Sequence, residues 1–97
     1  MYQDILSYHL AEGVSQAHLL EVAKEIIKTW MSQQEGFISW NIYKNEDDEG
    51  YTDIVSWNSK DAAKNAEKDM CNIPNAQVWY ACYKEETISA KHVSQIL

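Results

Sequence analysis

Two side chains in this 97-residue sequence could act as acid–base groups, and the first of them is Asp53. Asp53 lies in the segment TDIVSW, on the same face of a predicted strand as Val55 and Trp57. A carboxylate enclosed by aromatic side chains has a raised pKa, which suits a general base that works near neutral pH. The structural alternative is that Asp53 hydrogen-bonds a neighbouring strand or a backbone N–H group.

The second candidate is His92, which shares a predicted strand face with Ile88 and Ala90. An imidazole between apolar neighbours is either a buried, hydrogen-bonded group or an acid–base group of a pocket. The other two histidines are weaker candidates. We expect His9 at an edge or beneath a helix, and His18 in solvent near the start of a helix.

Large aromatic side chains are the candidates for the wall of a substrate pocket, because four Trp and six Tyr are many for this length. The four that we select are Trp40, Trp57, Trp79 and Tyr83. Each has a structural alternative. Trp57 could fill the end of the core, and Trp40 could pack in a dimer interface. Trp79 and Tyr83, four residues apart in the predicted short helix, could be an interface anchor or a core plug.

Other chemistries lack the residues that they need. The three His are scattered over different elements, and Cys71 and Cys82 have neither metal-binding nor redox spacing, so we expect no metal and no cofactor. We interpret both Cys as reduced thiols, with a disulfide between them as the alternative. The sequence has no G-x-S-x-G motif and no P-loop, and its three glycines leave little scope for a phosphate-binding loop.

The net charge of −7 argues against nucleic acid as a partner, because nucleic-acid binding requires a basic surface. Four carboxylates are concentrated in NEDDEG, residues 45–50, which we interpret as a solvated hairpin tip and not as a calcium loop. The start of the sequence lacks a basic segment, and no apolar run has transmembrane length. These features predict a cytoplasmic protein without membrane association.

Strand and helix patterns alternate without a linker, which predicts one domain over residues 1–97. The predicted elements are strands at Tyr2–Leu10, Phe37–Lys44, Tyr51–Trp57 and Glu86–Leu97, helices at Gln16–Gln33 and from Ser59 to before Pro74, and a short helix within Pro74–Tyr83. Two of these helices begin after good N-cap residues, Ser15 and Ser59. Each half of the order reads strand–helix–strand, as in a split βαβ plan with a four-stranded antiparallel sheet.

The predicted strands carry apolar residues on both faces. Strand two, for example, offers Ile38, Trp40 and Ile42 on one face, and Phe37 and Tyr43 on the other. Helices of a βαββαβ fold cover only one face, so the second should be buried by a partner. We expect a homodimer whose sheets pack face to face. The alternative is that the short helix alone covers the second face.

The segments EGVSQAHLLEVAKEI and EGFISWNIYKNEDDEGYTDIVSWNSKDAAKNA resemble the dimeric α/β-barrel proteins related to antibiotic-biosynthesis monooxygenases. The shared pattern is Gly36-Phe37 at the start of strand two, an acidic hairpin, and Trp57-Asn58-Ser59 before a helix rich in Ala. The resemblance extends over nearly the whole chain. It implies an α+β, ferredoxin-like βαββαβ fold with two main helices, a short extra helix before the last strand, and a dimeric α/β barrel.

The resemblance also implies chemistry. In cofactor-independent members, pocket Trp, Asn and Tyr side chains hold an electron-rich aromatic substrate while oxygen reacts with its anion, and Trp57 matches the Trp that ends strand three. Heme-degrading members add a His on the following helix and an Asn on strand one. Here Glu67 stands on that helix, and strand one has Ser7, Tyr8 and His9, so heme is not expected.

Two functions are consistent with these observations. One is an oxygenase-like or isomerase-like enzyme without metal or prosthetic group, in particular a cofactor-independent monooxygenase, acting on a small aromatic or polyketide-like substrate. Asp53 or His92 would be its base, and the four selected aromatic residues would form the pocket wall. The other is a non-catalytic ligand-binding or stress-related module in which the same aromatic residues hold a ligand or close the dimer.

Overall fold

The computed structural model describes all 97 residues as four strands and three α-helices around one sheet. The bounds are β1 Tyr2–Tyr8, α1 Gln16–Thr29, β2 Phe37–Lys44, β3 Tyr51–Trp57, α2 Lys60–Lys68, α3 Ala76–Tyr80 and β4 Ser89–Ser94. The sheet order is β2-β3-β1-β4, and every neighbouring pair is antiparallel. The predicted βαββαβ arrangement with a short extra helix is therefore confirmed.

Helix α1 begins at the predicted cap, where the Ser15 hydroxyl accepts a hydrogen bond from the backbone N–H of His18 at 3.1 Å. Its apolar stripe lies against the sheet, with Leu19 and Ile26 buried. The helix ends four residues earlier than predicted, because Trp30 leaves helical geometry and a 3₁₀ turn, Met31–Gln33, follows. The buried indole of Trp30 donates a hydrogen bond to Asp69 at 2.7 Å, which links this turn to the end of α2.

Helix α2 begins after Ser59, whose hydroxyl caps the backbone N–H of Ala62 at 3.1 Å. Its buried face consists of alanines at positions 62, 63 and 66, and such small side chains let a helix lie close to a sheet. The helix ends at Lys68, before Pro74 could stop it. Asp69 terminates it instead, because its side chain holds Trp30, Gln34 and Asn72 around the turn that follows.

The start of β2 differs from simple alternation, because the pairing with β3 shifts by one residue between Phe37 and Ser39. This irregularity is a β-bulge, and it places Phe37 opposite Trp57, on the same face as Trp40. The rings of Phe37 and Trp57 meet edge to face at 5.7 Å. The predicted faces of β2 were therefore wrong at its start: Phe37 lies on the helix-covered face and Ile38 is exposed.

All three helices lie on one face of the sheet. The extra helix α3 packs beside α1, and its Trp79 ring lies 5.3 Å from that of Trp40 on β2. The alternative that this helix covers the second face was therefore wrong. The second face carries partly buried Ile5, Ile54 and Val93 with nothing packed over them.

The first and last strands of the chain are shorter than predicted. β4 covers Ser89–Ser94 only, because a 3₁₀ turn at Glu85–Thr87 precedes it and the chain leaves the sheet after it. Ile96 and Leu97 are fully exposed, so their apolar character did not indicate a buried strand. β1 likewise ends at Tyr8, although Leu10 still forms a single bridge to Tyr83.

Gly36 provides a test of how closely α2 approaches the sheet. Its φ of +82° favours glycine, and an added Cβ would stand 2.5 Å from the Cβ of Ala62. We expect Gly36→Ala to lower the free energy of unfolding by about 2–5 kcal/mol, the sum of left-handed strain and overpacking. Urea unfolding followed by Trp fluorescence measures this loss.

Gly13→Ala is the matched control, because Gly13 has nearly the same φ of +83° but open space around its missing Cβ. It should lose only the strain, about 1–2 kcal/mol. Equal losses in the two variants would contradict the close approach of α2.

Candidate active site

A cavity of about 360 Å³ lies between the sheet and its own helices. The cavity is formed by one chain alone. It is therefore distinct from the barrel interior that we expected between the sheets of two chains. Its lining is mostly apolar, and its volume lies at the lower end of the range typical of small-molecule sites. All six residues that the sequence suggested contribute to its wall: Trp40, Asp53, Trp57, Trp79, Tyr83 and His92.

Asp53 is the polar centre of the buried end of this cavity, with only 3% of its surface exposed. Its carboxylate accepts hydrogen bonds from Tyr8 at 2.6 Å, from the Trp40 indole at 3.2 Å and, more weakly, from Tyr83 at 3.5 Å. Tyr8 and Trp40 stand diagonally across from Asp53 on the two flanking strands, where long side chains can reach it. Asp53 therefore bonds both neighbouring strands, as the structural alternative predicts, and it also faces the cavity.

Burial raises the pKa of Asp53 to about 6, because removal from water disfavours the charged form. The hydrogen bonds from Tyr8, Trp40 and Tyr83 act in the opposite direction and limit the rise. The carboxyl group therefore titrates close to neutral pH. A group of this kind can accept a proton from a bound molecule and release it again.

The two tyrosines that contact Asp53 stay protonated at neutral pH. Burial is the largest cause that raises the pKa of each phenol, and the neighbouring Asp53 carboxylate raises both further. Tyr83 also accepts a hydrogen bond from the Trp79 indole at 2.5 Å, so a chain of bonds runs from α3 to the sheet. The phenols of Tyr8 and Tyr83 therefore act as hydrogen-bond donors to a carboxylate that carries negative charge.

Tyr8 was not recognised in the sequence as a site residue. Its ring is almost fully buried and packs edge to face against Tyr83 at 4.4 Å. The contact exists because residues 9–11 pair with residues 82–84, through bonds such as Lys84 N–H to the His9 carbonyl at 2.9 Å. Only its alternation with Tyr2 along β1 could have placed Tyr8 on the cavity face.

A second polar cluster lies at another part of the cavity wall. The indole of Trp57 donates to Asp4 at 3.1 Å, and the other oxygen of Asp4 lies 2.6 Å from Nδ1 of His92. Trp57 is buried, so it fills the core and lines the cavity at once. Asp4 is the second residue that the sequence did not reveal, because its neighbours on β3 and β4 are remote in the chain.

The two candidate bases thus occupy different environments. Asp53 is buried and contacts only aromatic donors, whereas the His92 side chain is 60% exposed. Ala90 shares the cavity face with His92 as expected, but Ile88 precedes the strand.

Trp40 is buried on the helix-covered face, so the alternative that it packs in a dimer interface was wrong.

The remaining polar groups offer no metal site. No three His, Cys, Asp or Glu side chains come close enough together to hold a metal ion. Cys82 is fully buried and Cys71 is exposed, and both are free thiols, so the alternative of a disulfide is wrong. None of the helices is both long and apolar enough to cross a membrane.

Comparison with known proteins places this geometry in a recurrent fold. No protein-family model matches the sequence, and no curated protein matches it either. Solved structures do match over nearly the whole chain. A point mutant of SnoaB, a cofactor-independent oxygenase from Streptomyces nogalater, superposes with a TM-score of 0.77 at 16% identity, covering 99% of this chain and 93% of that one.

Two further structures show ligands in the same fold. The ActVA-Orf6 monooxygenase from Streptomyces coelicolor, in complex with nanaomycin D, has a TM-score of 0.72 at 14% identity over 97% of this chain and 86% of that one. A mutant of MhuD with two manganese protoporphyrin IX molecules per active site has a TM-score of 0.72 at 13% identity, over 100% and 96%.

This chain has the fold of the antibiotic-biosynthesis monooxygenases. The resemblance that the sequence suggested is thereby confirmed for the fold. At identities of 10–17%, the fold is what the similarity establishes, and function must be argued from the cavity.

The raised pKa of Asp53 predicts a characteristic pH dependence of stability. Asp53 binds its proton more tightly in the folded than in the unfolded chain, so its stabilising effect is complete below the unfolded pKa of 3.8 and is lost as pH rises through about 6. We expect the wild type to lose about 2 kcal/mol more than Asp53→Asn between about pH 4.5 and about pH 7.5. Urea unfolding at the two pH values measures this difference.

The comparison isolates Asp53, because Asp48 and Asp69 have lowered pKa values and titrate below this range. An identical change in the wild type and in Asp53→Asn would show that the Asp53 carboxyl group is not shifted.

Proposed function

We propose that this protein is a cofactor-independent monooxygenase that acts on a small aromatic or polyketide-like substrate, with Asp53 as the general base. The observation that carries the proposal is a buried carboxyl group, with a pKa of about 6, inside a cavity walled by aromatic rings. The fold shared with a cofactor-independent oxygenase and with another monooxygenase supports the same conclusion.

The proposed reaction needs only an activated C–H bond and molecular oxygen. Asp53 removes a proton from the methylene carbon of an electron-rich ring system, and the resulting carbanion gives up electrons to oxygen. A C–O bond forms, one oxygen atom stays on carbon as a carbonyl, and the other leaves as water with the two hydrogens of the methylene group. Tyr8 and Tyr83 hold the Asp53 carboxylate in place throughout.

The aromatic residues would position the substrate. Trp40 and Trp79 form one wall, with rings 5.3 Å apart and tilted by 52°, and Trp57 forms another. Flat apolar faces of this kind hold a planar aromatic ring and exclude water from its anion. A monooxygenase of the same fold binds nanaomycin D, which supports a small-molecule ligand for this cavity.

A heme-type ligand is not part of this proposal, although one neighbour binds a porphyrin. The cavity wall has Glu67 at the helix position where the heme-degrading pattern requires a His. A carboxylate in place of an imidazole removes the expected iron ligand.

The two free cysteines suit a reducing compartment such as the cytoplasm.

We also propose that the functional unit is a homodimer joined through the second face of the sheet. Ile54 and Val93 lie on that face among polar residues, and Tyr43 is half exposed beside them. Burying these side chains against a second copy would remove apolar surface from water. The cavity lies on the helix-covered side of the sheet, so dimerisation through the other face would not fill it.

The catalytic role of Asp53 can be tested with dithranol, an air-sensitive anthrone whose methylene carbon oxidises to a carbonyl. We expect the protein to accelerate oxygen uptake and quinone formation, and Asp53→Asn to lower the rate by about 10²–10⁴-fold, the usual effect of losing a general base. An oxygen electrode and the quinone absorbance follow the reaction.

Asp47→Asn in the exposed hairpin tip is the control and should retain the full rate. If dithranol binds but is never turned over faster than in buffer, the non-catalytic ligand-binding function would be favoured. If Asp53→Asn keeps the rate of the wild type, Asp53 is not the base.

The dimer can be tested by light scattering. We expect a mass of about 22 kDa, twice the 11.2 kDa of one chain, and a fall to the monomer mass in Ile54→Lys, because a buried unpaired charge opposes association. Leu20→Lys on the outer surface of α1 is the control and should stay dimeric. A monomeric wild type at micromolar concentration would refute the proposal.

A further inference from the structure

Asp4 stands between two cavity residues on the helix-covered face of the sheet. It lies on β1 directly opposite His92 of β4, and diagonally from Trp57 of β3. Each carboxylate oxygen has a separate partner, His92 Nδ1 at 2.6 Å for Oδ1 and the Trp57 indole at 3.1 Å for Oδ2. Three strands that are remote in sequence therefore meet in one hydrogen-bonded unit, the Trp57–Asp4–His92 cluster.

This cluster fixes which nitrogen of His92 carries a proton. A carboxylate only accepts hydrogen bonds, so Nδ1 must be the donor and Nε2 is left for a ligand or water. The ring of Tyr2 lies parallel to that of His92, at 6.2 Å and 8°, which restricts the plane of the imidazole. His92 thus presents Nε2 at an exposed part of the cavity wall.

The other charged groups near the cavity do not share this arrangement. Lys64 and Glu67 of α2 contribute to the same wall but lie 4.0 Å from each other, and neither bonds the cluster. Asp4 has no Lys partner within 4.0 Å, so its carboxylate is engaged only by Trp57 and His92. An amide oxygen would be a sufficient acceptor for the Trp57 indole. A carboxylate is favoured when the same acceptor must also orient an imidazole that becomes charged.

We propose that His92 is a second recognition and proton-transfer site of the cavity and that Asp4 is its positioning residue. A substrate would present its acidic hydrogen, a C–H group in the proposed reaction or an O–H group in a probe, at the buried end to Asp53. Its hydroxyl group at the exposed end would face Nε2 of His92. The ligand class is therefore an aromatic molecule with an acidic hydrogen at one end and a hydroxyl group at the other. This inference deepens the proposed oxygenase function, but its binding part does not depend on turnover.

The proposed proton transfer uses only the His92–Asp4 pair and bulk water. His92 accepts the hydroxyl proton on Nε2, the oxygen keeps the electron pair of the broken O–H bond, and the imidazolium is stabilised by the Asp4 carboxylate. Because His92 is 60% exposed, the proton then passes to bulk water and the neutral ring is restored. An electron-rich phenolate results, which is the form that reacts most readily with oxygen.

The first test is the tautomer of His92, read by ¹⁵N NMR of the ligand-free protein at a pH where the ring is neutral. We expect the proton on Nδ1 in the wild type. In Asp4→Asn the donor-only indole of Trp57 draws the amide oxygen, so the amide NH₂ faces Nδ1 and moves the proton to Nε2. Exposed His18 is the internal control and should be the same in both proteins. A wild-type proton on Nε2, or a tautomer that Asp4→Asn leaves unchanged, would overturn the role of Asp4.

The second test uses 2-naphthol and 2,6-dihydroxynaphthalene as probes in calorimetric titrations. The second hydroxyl group should tighten the Kd about three- to tenfold in the wild type, the value of one hydrogen bond. His92→Phe, which keeps a ring beside Tyr2, should abolish this advantage, so that the two probes bind with the same Kd. His18→Phe is the control and should behave as the wild type.

The outcomes separate this inference from the oxygenase proposal. A hydroxyl advantage that requires His92, found without any turnover of dithranol, would support the recognition site and count against the oxygenase. Dithranol turnover that depends on Asp53, combined with equal affinities for the two probes in every variant, would support the oxygenase and count against the recognition site. Failure of the wild type to bind either probe would overturn the proposed ligand class.

Discussion

The burial of one carboxyl group is the constraint on which the rest of this structure depends. Asp53 lies on a central strand inside an apolar layer, where an ionised group is unfavourable unless donors surround it. The donors come from β1, from β2 and from the segment after α3, so satisfying Asp53 ties three parts of the chain together. Even so, the rise in pKa from 3.8 to about 6 corresponds to about 3 kcal/mol at neutral pH.

That cost is large for a small domain, since total stabilities are only about 5–15 kcal/mol. An apolar residue at the same place would avoid it. Proteins keep such unfavourable groups mainly at functional sites, where a shifted pKa serves the chemistry. The cost of Asp53 is therefore itself an argument that the cavity has a purpose beyond packing.

The two central strands supply both polar centres of the cavity. β3 carries Asp53 and Trp57, and β1 carries Asp4 and Tyr8. Strands bonded on both sides are held more firmly than edge strands, so these side chains have fixed positions relative to one another. The helices above contribute the apolar walls. Together they enclose a cavity with a buried end at Asp53 and an exposed end at His92.

Much of the fold followed from local patterns. The caps at Ser15 and Ser59 and the alanines of α2 all function as the sequence indicated. Where prediction was wrong, the deciding interaction was tertiary. The bulge that turns Phe37 toward Trp57 breaks the alternation of β2, and the Asp69 network ends α2 before Pro74. Neither event has a signal within a few residues of its position.

The candidate site divides in the same way. The sequence by itself determined which side chains could do chemistry, because a lone Asp among Val and Trp and a His beside Ala stand out by residue type and by the two-residue period of a strand. It could not reveal Asp4 or Tyr8, whose significance lies in partners 45–88 residues away. Only the tertiary structure decided that the cavity lies under the helices and that one carboxylate is buried and the other shared with an imidazole. The physical reason is that hydrogen bonds and burial depend on neighbours in space, and the antiparallel register of the sheet sets those neighbours.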